Sequence, residues 1–98
     1  MDEDLARRII AVLEDVAQTT RADLDDAPTI ESWTVVAEPG GAPALIGRVH
    51  GHPQIPDGRL THTSYLVAMS EREGWARTLN RFYRLGRPLE KEAGDVAH

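Results

Sequence analysis

The sequence predicts an α+β domain: an N-terminal amphipathic helix packed on a small antiparallel β-sheet or partly open barrel of about four strands. Three observations carry this. Residues 3–20 repeat apolar side chains at three- and four-residue steps. Residues 33–69 are β-branched and broken by Gly/Pro clusters. The chain has 98 residues, of which 41% are apolar and 28% charged, enough for one domain with one core. That domain is expected to span residues 1–88, with a β unit over 33–86 and a polar tail over 89–98.

In the helix, Leu5, Ile9, Val12, Leu13 and Val16 share one face, and Ile10 widens it. Asp2 is placed to cap it. Glu3 and Asp4 sit in the first turn, where the helix dipole favours negative charge. Glu3–Arg7 and Asp4–Arg8 are spaced four apart in the favourable order. Residues 21–32 read as a polar connector with room for a helical turn at 21–26, and Pro28 biases Ala27 away from helix.

Trp33–Glu38 reads as a first strand and Ala44–His50 as a second, joined by Pro39-Gly40-Gly41-Ala42-Pro43 as a hairpin. Gly47 suggests a close backbone approach. Pro56-Asp57-Gly58 is a turn. Leu60–Met69 reads as a third strand with both faces mixed, and Ser70–Gly74 as a hairpin turn. Trp75–Leu85 fits helical and extended spacing alike.

That ambiguity is tipped towards strand by a resemblance. The stretches Leu45-Ile46-Gly47-Arg48-Val49, Gly51-His52-Pro53, Asp57-Gly58, Thr63-Ser64 and Trp75 through Gly86 follow a G-x-V-x-G-H-P, D-G, T-S, A-R-T-x-x-R-F-Y-R-L-G pattern. The chain resembles a family of small uncharacterised proteins found mostly in alphaproteobacteria and in phage-like gene neighbourhoods. The similarity covers residues 45–88, and Asp25-Asp26-Ala27-Pro28 and Trp33 extend it. It implies an antiparallel unit in which Trp75–Leu79 follows Thr63–Met69 as a hairpin. It carries no activity and no catalytic residue.

Charge is segregated. Residues 1–38 hold ten acids and three arginines, whereas residues 39–98 hold eight bases and six acids. Within 72–87, five arginines face one glutamate. Arginine's planar fork suits carboxylate and phosphate. Arg77, Arg81 and Arg84, interleaved with Trp75 and Tyr83, are therefore candidates for an anionic small molecule, a nucleotide or a single nucleic-acid strand. Against this, the acidic helix and the basic half can neutralise each other within the fold. A pI near 5.2 also opposes strong non-specific DNA binding.

His50, His52 and His62 form a weak zinc candidate, lacking an evident carboxylate support. His62 beside Thr63 and Ser64 offers hydroxyls and a base, but their plain role is to satisfy backbone groups. Glycine-rich phosphate loops are excluded by sequence. No cysteine is present, which excludes disulfides and thiolate metal sites. No apolar run is long enough for a membrane helix, and the acidic start is unlike a signal peptide, so a cytoplasmic location is expected.

The leading expectation is a small non-enzymatic binding or accessory protein without a cofactor, acting through a protein partner. One form of it is a mobile-element or phage counter-defence inhibitor of the anti-CRISPR kind, with Asp23, Asp25 and Asp26 imitating phosphate. A homodimer is expected, because so short a chain gains core from a second copy.

Overall fold

The computed structural model describes residues 2–90. Helix α1 spans Glu3–Gln18, and the Asp2 carboxylate accepts the Leu5 N–H at 2.7 Å, capping it as expected. Arg7 and Glu3 pair at 2.8 Å. The helix stops two residues short of the expected end because Thr19 and Thr20 turn extended. Thr20 then caps α2, Arg21–Asp25, the helical turn allowed for in the connector. Val12 is buried and Leu5, Ile9 and Val16 are half-buried, so this part of the expected apolar face meets the body of the protein, whereas Leu13 and Ile10, expected on the same face, are exposed.

Six strands follow rather than four: β1 Thr29–Ala37, β2 Pro43–His50, β3 Leu60–His62, β4 Leu66–Ser70, β5 Trp75–Thr78 and β6 Phe82–Leu85. They form one sheet in the order β3-β2-β1-β6-β5-β4. The sheet is mixed, not purely antiparallel, because β6 lies parallel to β1.

Three departures from the expected strands have local causes. Strand β1 begins four residues before Trp33. Glu31-Ser32 looks like connector, yet Ser32 adopts a positive φ of 53° inside an irregularity between Glu31 and Thr34. Side chains alternate along a regular strand, so residues three apart face opposite ways. The bulge cancels one step and turns both Ile30 and Trp33 inward, where both are buried.

The expected strand 60–69 is split between the two edges of the sheet. Leaving β3, the Thr63 N–H donates to the Leu45 carbonyl at 2.8 Å, and the Thr63 hydroxyl accepts the Leu45 N–H at 3.0 Å. Beyond Ser64, the Tyr65 carbonyl accepts the Leu79 N–H at 3.0 Å, already on the β5 side. The four Cα steps from His62 to Leu66 span at most about 14 Å. The edges of a flat six-stranded sheet would stand roughly 24 Å apart. The sheet is therefore curled until its two edges approach.

The expected continuous strand 75–85 is a hairpin. Thr78, almost fully buried, holds the turn: its N–H donates to the Arg81 carbonyl at 2.9 Å, and its hydroxyl accepts the N–H groups of Asn80 and Arg81, both at 3.3 Å. The β1–β2 and β4–β5 hairpins are antiparallel as expected.

The core lies inside the curl. Ile30, Trp33, Leu45, Val49, Leu66, Ala76 and Tyr83 form it. Gly47 is needed at the β1–β2 contact, since a Cβ there would come within 2.6 Å of the Ile30 side chain and 2.9 Å of the Glu31 carbonyl. Helix α1 lies against β4, and α2 against β6. Of the tail, residues 91–98 lie outside the described residues.

Candidate functional site

The pairing of β5 with β6 places Trp75 opposite Arg84 and Arg77 opposite Phe82. Paired residues share a face. These four side chains therefore project from one side of the hairpin, while Ala76 and Tyr83 project into the core. The helices cross the first side without sealing it. Between them and the hairpin runs a groove of about 840 Å³.

Its apolar surface comes from Val16, Leu24, Trp75, Phe82 and Leu85. Its charged groups are Arg21, Arg72 and Arg84 against Asp25, Glu31 and Glu73, three of each sign. Several of these are held in place. The Trp75 indole N–H donates to the Glu73 carboxylate at 3.0 Å. Trp75 meets Phe82 edge-on, with centroids 6.1 Å apart and planes at 72°. The Arg84 Nε donates to the Ala27 carbonyl at 3.0 Å, tying the hairpin to the chain leaving α2. Glu31 accepts the Arg87 N–H at 3.0 Å, and its carboxylate fills the space that a side chain at Gly86 would need.

The wall formed by α2 rests on a reciprocal cap. The Asp23 carboxylate accepts the Thr20 N–H at 3.0 Å, while the Thr20 hydroxyl accepts the Asp23 N–H at 3.3 Å. The bond from the Thr20 backbone, then that from its hydroxyl, lowers the Asp23 pKa below its ordinary 3.8.

The arginine and aromatic candidates divide. Trp75 and Arg84 line the groove. Arg77 lies beneath α1, with its guanidinium 5.0 Å from the Phe82 ring centroid and 3.5 Å from the Asp15 carboxylate. Here the acidic helix and the basic hairpin do meet within the fold. Tyr83 is a core residue, and burial raises its pKa above 10.0. Arg81 stands in the hairpin turn, its charge felt by Tyr83 and His52.

The histidines separate as well. His62 pairs along β2 with Ile46 and makes an ion-pair contact with Glu38. His50 lies four residues further along β2, roughly 13 Å away. His52 follows a left-handed Gly51, packs 6.3 Å from the Tyr83 ring and accepts the Gln54 N–H on Nδ1. Partial burial, then the Arg81 charge, lowers its pKa below 6.5. Among the described residues, no group of three His, Asp or Glu side chains is placed to hold a metal ion. The Thr63 hydroxyl is engaged with backbone groups at Leu45 and Ser64.

Of the acidic candidates, Asp25 lines the groove, and Asp26 caps the C-terminus of α2. Val16 was legible as part of the helix's apolar face, but Arg21, Leu24 and Glu31 are groove residues that the sequence did not single out. Their only signal is the helical turn at 21–26, since the strand carrying Glu31 depends on the bulge.

Among the described residues, no helix is long and apolar enough to cross a membrane. No curated protein and no solved structure matches the chain. A model of a family of unknown function, DUF6634, matches residues 2–98. The expected kinship with an uncharacterised family thus holds at that level: the chain belongs to the DUF6634 family.

Proposed function

We propose that this protein is a non-enzymatic binding module whose groove between α2 and the β5–β6 hairpin receives a segment of a protein partner. The observation that carries this reading is the composition of the groove. An apolar floor with two aromatic side chains lies between three guanidinium groups and three carboxylates. Aromatic residues and arginine dominate the centres of protein interfaces. A polyanion would gain little from a lining whose charges balance, because its affinity comes from unopposed cations. Arg77, central to the anion-binding expectation, is already engaged with Asp15 and Phe82.

The counter-defence form of this reading draws on Asp25 and Asp26. Asp23 uses its carboxylate on the cap of α2, so those two supply the acidic edge that a basic partner would meet.

Selection from a library of short random peptides tests the proposal. Selected peptides are expected to carry an apolar anchor flanked by charge and to quench Trp75 fluorescence. Their affinity should fall at least tenfold in Phe82→Ala and in Arg72→Glu. An oligonucleotide should bind weakly at low salt. Peptide binding indifferent to both substitutions overturns the groove as the site. Tight oligonucleotide binding with steep salt dependence and no peptide binding replaces the proposal with the anion-binding one.

A further inference from the structure

Helix α1 carries two apolar stripes. Leu5, Ile9, Val12 and Val16 step by four, three and four residues along the side that meets the sheet. Ala6, Ile10, Leu13 and Ala17 repeat the same steps one residue later, turned by about 100° around the axis. The large members of this second stripe face solvent: Ile10 is 57% exposed and Leu13 47%. Alternating steps of four and three are the seam of a coiled coil.

We infer that this second stripe is the contact surface for another copy of the same chain, with the two α1 helices packed antiparallel about a two-fold axis near Ala11 and Val12. The stripe reads alike in both directions. Reversed, it sets Ala6 against the partner's Ala17 and Ile10 against the partner's Leu13, with the large pairs central and the small ones at the ends. A two-fold contact needs this self-complementarity.

Charge selects the direction. Arg7 and Glu14 flank the stripe on its solvent side. Antiparallel helices bring like-lettered flanks together, so Arg7 stands beside the partner's Glu14 and Glu14 beside the partner's Arg7. A parallel pair would instead set Glu14 against the partner's Ile9. Arg7 makes an exposed pair with Glu3 in the single chain, and an exposed pair of this kind is weak enough to be exchanged. The contact is one 16-residue helix, about 24 Å long, which suits a reversible dimer. It lies away from the groove residues other than Val16, and the inference stands without the groove reading.

Sedimentation equilibrium across a range of concentrations tests this. The protein is expected to show a monomer–dimer equilibrium. Leu13→Glu should be monomeric throughout, with an unchanged helical spectrum and melting temperature in dilute solution. Glu14→Arg should raise the dissociation constant about fivefold to tenfold, as expected for losing two exposed pairs. Arg7→Glu combined with Glu14→Arg should restore it. A wild-type monomer at the highest concentration overturns the inference. So does a Leu13→Glu variant that dimerises like the wild type, or a double variant no stronger than Glu14→Arg.

Discussion

Two of the chain's hairpins, β1–β2 and β5–β6, follow the same local rules and are used differently. In the β1–β2 hairpin, strands of nine and eight residues turn Ile30, Trp33, Leu45 and Val49 inward, all of them buried. Their outward neighbours, Arg48 and His50 among them, meet solvent. In the β5–β6 hairpin, strands of four residues turn Ala76, Thr78, Tyr83 and Leu85 inward, and among these Ala76 and Tyr83 are the buried members of the core cluster. Its outward residues are Trp75, Arg77, Phe82 and Arg84, and two helices stand over them. One hairpin serves the core. The other divides its faces between the core and a groove. Side-chain alternation governs both, interrupted in β1 by its bulge. What differs is whether the outer face is covered, and how completely.

The sharpest test of that contrast is a core truncation. Leu45 is fully buried in the β1–β2 hairpin. Leu45→Ala should cost about 2–5 kcal/mol, the sum of lost burial and a cavity that cannot collapse. Urea denaturation measures it. Any molecules that remain folded should bind groove peptides with wild-type affinity. A loss below about 1 kcal/mol would mean that the interior of the curl is loosely packed and that the two hairpins do not differ as described.

Much of this contrast was legible in the sequence, and the illegible parts share a cause. Helix α1, its cap, the β1–β2 hairpin and the turn at Ser70–Gly74 depend on neighbours within a few residues, and local rules sufficed. Strand 60–69 failed because its break depends on where Thr63 finds partners, in Leu45 eighteen residues away. Its mixed faces were the visible trace of one segment serving two sheet edges. That Trp75 and Phe82 lie outside the core cluster has no local signal, because the helices that cover them lie fifty or more residues earlier in the chain. The arginine cluster was visible as composition. Its division among groove, ion pair and turn was not, since Arg77 and Arg84 stand on opposite strands of a hairpin and Arg81 in its turn, which rests on Thr78.

Alkaline pH gives a smaller probe of the inner face of the β5–β6 hairpin. Burial raises the Tyr83 pKa above 10.0, so the folded state disfavours the phenolate. The stability due to the neutral phenol is fully present below the unfolded pKa near 10. It is lost as pH rises through the folded value, at no more than about 1.4 kcal/mol per pH unit for one proton. Melting temperatures followed upward from pH 9 should fall more steeply in the wild type than in Tyr83→Phe. Equal slopes would place the Tyr83 hydroxyl in contact with water, and the inner face would then be less dry than that of β1–β2.

The smallest effect expected is at the groove wall. Asp23 is exposed, but its bonds from the Thr20 backbone and hydroxyl lower its pKa from 3.8. A carboxylate with a depressed folded pKa contributes stability above the unfolded value, and that contribution disappears as pH falls through the folded one. Little of the global stability is at stake, because α2 is one turn and a half of helix at the surface. The consequence is local. Carbon NMR of the Asp23 carboxyl should give a midpoint below 3.8, and Thr20→Ala should move it upward by removing the hydroxyl. The shift should be partial, because the backbone N–H is the larger cause and survives the substitution. Since α2 forms one wall of the groove, peptide affinity should decline over the same acid range and less so in Asp23→Asn. Affinity that ignores this titration would separate the groove from α2 and leave the β5–β6 hairpin as the whole of the binding surface.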